Sequence, residues 1–63
     1  MMNLWNYEFE DGVQITKYDG EVIKGNAGEV DIEDQTDSVA IELITNRRLV
    51  TICESDIQKI ELI

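Results

Sequence analysis

The stretch Asp19-Gly20-Glu21-Val22-Ile23-Lys24-Gly25-Asn26-Ala27-Gly28-Glu29-Val30-Asp31 decides how this chain folds. It reads as one long bent β-strand. Gly20 supplies a turn, and Gly25 and Gly28 let the strand curve or bulge, so that Ile23, Ala27 and Val30 change face where the glycines sit. A strand bent in this way can belong to two sheets, which is how a very small barrel closes.

Alternation on either side supplies the other strands. Asp11-Gly12 signals a turn, after which Val13 and Ile15 face one way and Gln14 and Thr16 the other, giving a strand to Tyr18. Tyr18 to Glu21 is a tight hairpin turn. The bent strand runs to about Glu33, and Asp34-Gln35-Thr36-Asp37 is a polar loop. Ser38 to Thr45 places Val39, Ile41 and Leu43 opposite Ala40 and Glu42, and Asn46-Arg47 turns the chain. Arg48 to Cys53 leaves neither face polar, so this strand is covered on both faces, by its own fold or by a neighbour. Glu54-Ser55-Asp56 suits one 3₁₀ turn, and Ile57, Ile60 and Leu62 belong to a last strand. The fold class expected is therefore all-β: a five-stranded, strongly bent small barrel, SH3-like or OB-like, with little or no helix.

Sixty-three residues allow one domain, 1–63, with 1–11 as an N-terminal extension and 12–63 as the barrel. A chain this short buries only about 60% of the surface its unfolded form exposes. Its core rarely supplies more than roughly 3 to 5 kcal/mol, so any contribution from self-association matters. Trp5, Tyr7 and Phe9 alternate as a strand would, whereas Asn3 and Leu4 could begin a helical turn. We expect an extended segment whose aromatic rings add to the core, with Trp5 against a barrel end; an exposed aromatic ligand platform is the alternative.

Cys53 is the only cysteine, no apolar run approaches the roughly 20 residues that span a bilayer, and Met1 to Asp11 lacks the pattern of a signal peptide. A cytoplasmic protein without membrane contact is expected. Fourteen acidic residues stand against five basic ones, for a formal charge of −9, and no basic residue lies between Lys24 and Arg47. Such charge opposes nucleic acid, whose non-specific affinity rests on basic groups at phosphates, and steers the chain toward basic partner surfaces.

Gly20, Gly25 and Asp31, with Ile23, Ala27 and Val30 at apolar positions, resemble the first motif of the Sm and Sm-like (LSM) family. Ile52-Cys53-Glu54-Ser55-Asp56-Ile57-Gln58-Lys59-Ile60 is similar in layout to the second motif, whose pattern is Ile-Arg-Gly-Asn-Asn-Ile with an apolar residue three on. The likeness covers roughly Gly12 to Ile63. Glu54 to Ile57 and Ile60-Glu61 resemble more closely the small uncharacterised Sm-like proteins of Gram-positive bacteria, a bacterial subgroup that carries no function to transfer.

The resemblance implies a ring in which the fourth strand of one subunit pairs with the fifth of the next, and RNA threads past loops at the inner rim. The oligomer-edge candidates are accordingly Leu49, Val50, Ile52, Ile60 and Leu62. The family's RNA-site positions are degenerate here. Gln35 or Thr36 replaces the base-reading asparagine, Cys53 the arginine and Glu54 the glycine. Glu54, with Asp31, Asp34 and Asp37, would place negative charge where phosphate must pass. Arg47, Arg48 and Lys24 could still offer a basic site if folding gathers them.

Catalysis has little support. There is no histidine, and a carboxylate beside Cys53 would raise a thiol pKa rather than activate it. Asp31, Glu33, Gln35, Asp37 and Glu42 fall at calcium-loop positions, but Thr36 stands where that loop wants glycine and no flanking helices are expected. No metal or other cofactor is expected. The leading expectation is a non-catalytic interaction module that forms a homo-oligomer or binds a protein partner with a basic surface. The alternative is an RNA-binding or RNA-regulatory protein, including an acidic nucleic-acid mimic.

Overall fold

The structure, a computed structural model, describes residues 3–35 and 37–63. Five strands follow a short 3₁₀ turn at Leu4–Tyr7: β1 (Val13–Lys17), β2 (Val22–Glu33), β3 (Ser38–Thr45), β4 (Arg48–Cys53) and β5 (Ile57–Leu62). A second 3₁₀ turn, Glu54–Asp56, joins β4 to β5. The strands form one antiparallel sheet in the order β4-β3-β2-β1-β5. The expected all-β, five-stranded fold is present, with strand limits within a residue or so of those read from alternation.

β2 belongs to two ladders. Residues 22–25 pair with β1, and from Asn26 onward the strand pairs with β3. The changeover occurs at Gly25, where a Cβ would lie only 2.3 Å from the Ile44 carbonyl oxygen. Only a residue without a side chain permits that approach. Just beyond, Ala27 opposes Leu43 while Val30 opposes Ile41, so β2 carries one extra residue at Gly28-Glu29. This bulge turns both Ala27 and Val30 into the core despite their odd spacing. A second irregularity sets Lys17 against Ile57 but Thr16 against Lys59, and so lets Ile57 and Ile60 both point inward.

All five strands contribute to a single apolar core, including Val13, Ile15, Val30, Ile41, Leu43, Ile52 and Ile57. One sheet can surround one core only by folding over on itself. Its ends do not meet by strand pairing, because β4 and β5 are the two outer strands.

The N-terminal segment departs from the extended conformation expected of it. Asn3 caps the 3₁₀ turn, its Oδ1 accepting the Trp5 N–H at 3.1 Å. Leu4, rather than Trp5, is the residue driven into the core, with no exposed surface. Tyr7 packs against the core, but Trp5 and Phe9 are exposed, so only one of the three aromatic rings adds to it. Beyond the turn, residues 8–10 continue the line of β1 along β2. Ala27 N–H donates to the Glu10 carbonyl at 2.9 Å, and Phe9 N–H donates to the Gly28 carbonyl at 3.0 Å. Val30 N–H donates to Glu8 Oε2 at 3.0 Å. The extension thereby covers the part of β2 that β1 leaves open, and it shares the core of residues 12–63.

The β3–β4 hairpin turns through Asn46 (φ 50°) and Arg47 (φ 64°), both left-handed. Two consecutive positive φ values suit an Asn-Gly turn, and an arginine there is strained. Substituting Arg47→Gly is expected to raise stability by about 0.5 to 1 kcal/mol, the relief of left-handed strain less the extra unfolded-state entropy of glycine. A urea midpoint at or below that of the parent would contradict this.

Candidate functional site

The free edges of β4 and β5 are the most distinctive surface the fold creates. Among the described residues neither outer edge is paired with another strand. Unpaired strand edges expose a row of backbone donors and acceptors and are templates for further pairing. β4 has no proline or lysine to blunt it; β5 carries Lys59, which forms a loose, exposed ion pair with Glu61 at 3.7 Å.

The five edge candidates divide in two. Leu49 and Leu62 are exposed at 60% and 57%, and Leu49 stands opposite Ile44, which is also largely exposed, on the outer face of the β3–β4 hairpin. Ile52 and Ile60 turn their side chains into the core, so they offer an edge only through their backbone. Val50 lies between these cases, half-buried and packed against the core. The apolar character of both faces of β4 thus has two causes: Val50 and Ile52 serve the protein's own core, and Leu49 serves nothing within it.

An open groove of about 830 Å³ runs beside β4, bounded on one side by Val50 and Ile52 and on the other by Val22 and Ile23 of β2. Three of the chain's five basic residues line it, Lys17, Lys24 and Arg48, together with the carboxylates of Glu21 and Asp56. Lys17 is already engaged. Its Nζ donates to Glu21 Oε1 at 3.3 Å, and that hydrogen bond, reinforced by the charges of Asp19, Glu21 and Asp56 and partly offset by desolvation, raises the ammonium pKa above its usual value. Folding therefore gathers Lys24 and Arg48, as a basic site would need. Arg47 is not part of the groove lining, and Lys17, which the sequence reading passed over, takes its place. The register would have revealed it, since Lys17 closes the β1–β2 hairpin that Lys24 helps to form.

The degenerate RNA-site positions are dispersed. Gln35 lies with Glu29, Asp31, Glu33, Asp34 and Glu42 around a concavity of about 290 Å³. Glu54 lines a different concavity with Asp37 and Val39. Cys53 is half-buried at the end of β4, opposite Ala40. Thr36 lies outside the described residues. The acidic residues expected near a rim are thus split between two hollows rather than gathered in one. Asp31, Glu33 and Glu42 belong to strands, and among the described residues no three carboxylate, cysteine or histidine side chains converge as metal ligands would.

No family model, curated protein or solved structure matches this chain. What the surface can do must therefore be judged from its own chemistry. Among the described residues it offers two unpaired strand edges and an open groove in which apolar side chains alternate with charged and polar ones. No helix is long and apolar enough to cross a membrane among the described residues.

Proposed function

We propose that this chain is a non-catalytic assembly module of the Sm-like kind, in which the free edge of β4 on one copy pairs with the free edge of β5 on the next. The observation that carries this reading is the sheet order, which leaves one unpaired edge at each end of the sheet. Pairing of two different edges is head-to-tail, so it closes into a ring or continues as a filament according to the rotation between copies. Exposed Leu49 and Leu62 would be withdrawn from water by the contact. A reducing, cytoplasmic setting suits the free thiol of Cys53.

Charge sets the conditions for assembly. Each copy brings a formal charge of −9, so association should tighten as salt screens the repulsion, with a screening length of about 8 Å at physiological ionic strength. The same overall charge opposes RNA as a ligand, and the groove offsets it only slightly, with three cations against two carboxylates.

Light scattering across a concentration series tests the proposal. Val50→Lys is a poor probe because Val50 helps to pack the core, so the variant of choice is Leu49→Lys. It is expected to weaken assembly about tenfold or more, through lost apolar burial and a lysine on the edge, while the melting temperature of the monomer stays within a few degrees. Because lysine lowers the net charge, lost assembly could not be attributed to repulsion. A parent protein that stays monomeric at high concentration and high salt would refute the proposal.

A further inference from the structure

We propose that Trp5 and Phe9, on the N-terminal segment that packs against β2 and β3, form a docking surface for an arginine-bearing segment of a different protein. In a chain short of core, Trp5 is 46% exposed and Phe9 68% exposed, although Leu4 and Tyr7 beside them are packed. The backbone holds Phe9 outward at some cost, since its φ of 59° is left-handed, a conformation that bulky residues rarely adopt. Three hydrogen bonds to the β2 bulge fix the segment there: Phe9 N–H to the Gly28 carbonyl, Ala27 N–H to the Glu10 carbonyl, and Val30 N–H to Glu8 Oε2. Strain that the surroundings enforce in this way is more often found at binding surfaces than in passive loops.

Charge complementarity selects the occupant. The first sixteen residues contain no lysine or arginine, Glu10 and Asp11 follow Phe9 in the chain as exposed carboxylates, and exposed Glu29 lies in the bulge to which the Phe9 backbone is bonded. An aromatic face attracts a cation, and tryptophan does so best. Arginine suits this setting better than lysine, because its planar guanidinium stacks on a ring while its N–H groups fork to a carboxylate. A nucleic acid or an anionic lipid would meet only negative charge here.

Trp5 is the sole tryptophan, so its emission reports directly on the surface. The intact protein is titrated at physiological salt with a blocked peptide of three arginines and with its three-lysine counterpart. A saturable change in Trp5 emission is expected, with the arginine peptide binding about fivefold more tightly than the lysine peptide. Two variants keep the net charge: Phe9→Gly, which relieves the left-handed strain, and Phe9→Leu, which keeps an apolar side chain but removes the ring. Both are expected to weaken arginine-peptide binding about fivefold, and Phe9→Gly to melt no lower than the parent. Equal binding of the two peptides, or unchanged binding by both variants, would show bulk charge alone and overturn the proposal. A shift in Trp5 emission on concentrating the protein without peptide would also overturn it, by showing that a second copy covers the surface.

Discussion

Leu4→Ala is expected to lower the melting temperature by at least about 10 °C, and so to leave the protein largely unfolded at physiological temperature. Leu4 has no exposed surface and sits in the same core cluster as residues from all five strands. Truncating a buried leucine to alanine costs about 2 to 5 kcal/mol through lost transfer energy and the cavity left behind. A core in a chain of this size supplies a comparable total of roughly 3 to 5 kcal/mol. In domains of 60 to 100 residues each kcal/mol moves the midpoint by about 4 to 8 °C. Circular dichroism would follow the transition. A midpoint within about 2 °C of the parent would mean that the N-terminal turn is not part of the core.

Gly25→Ala should be at least as damaging, for a different reason. The new methyl group would meet the Ile44 carbonyl oxygen at 2.3 Å and its carbon at 3.0 Å, with Thr45 Cβ at 3.2 Å. These are mainly backbone atoms of β3, so no side-chain rotation makes room. Strands β2 and β3 would have to separate at the point where β2 leaves one ladder for the other, and the bend that wraps the sheet around its core would be lost. Gly28→Ala is the natural control. There the nearest atom is Glu42 Cβ at 3.4 Å, an ordinary contact, and a cost of no more than about 1 kcal/mol is expected. Equal tolerance of alanine at both positions in denaturant titrations would contradict the role given to Gly25.

Strand positions were legible because alternation in β1 and β3 coincides with unambiguous turn residues, Asp19-Gly20 and Asn46. The bend in β2 was legible for a related reason: Gly25 and Gly28 interrupt an otherwise regular apolar spacing. The N-terminal segment was not. Trp5, Tyr7 and Phe9 alternate as a strand would while Asn3 and Leu4 suit the start of a helical turn, and the choice is made by the Asn3 cap and by which side chain the core can receive. Periodicity cannot report the second of these. Nor could it show that Ile52 and Ile60 point inward while Leu49 and Leu62 stay in solvent, because all four are simply apolar residues on strands. Gathering Lys17 with Lys24 and Arg48 depends on a hairpin register and on the approach of β4, which are properties of the folded sheet.

Edge-to-edge assembly is the central claim, and amide hydrogen exchange at increasing protein concentration tests it most directly. The outward-facing amides of β4 and β5 are unpaired in a single copy, so at low concentration they should exchange quickly beside the protected amides of β1, β2 and β3. If β4 of one copy pairs with β5 of the next, those edge amides will gain protection together as concentration rises, while the inner strands change little. Edge amides that exchange equally fast at every concentration, or protection that grows on only one of the two strands, would contradict the proposed assembly.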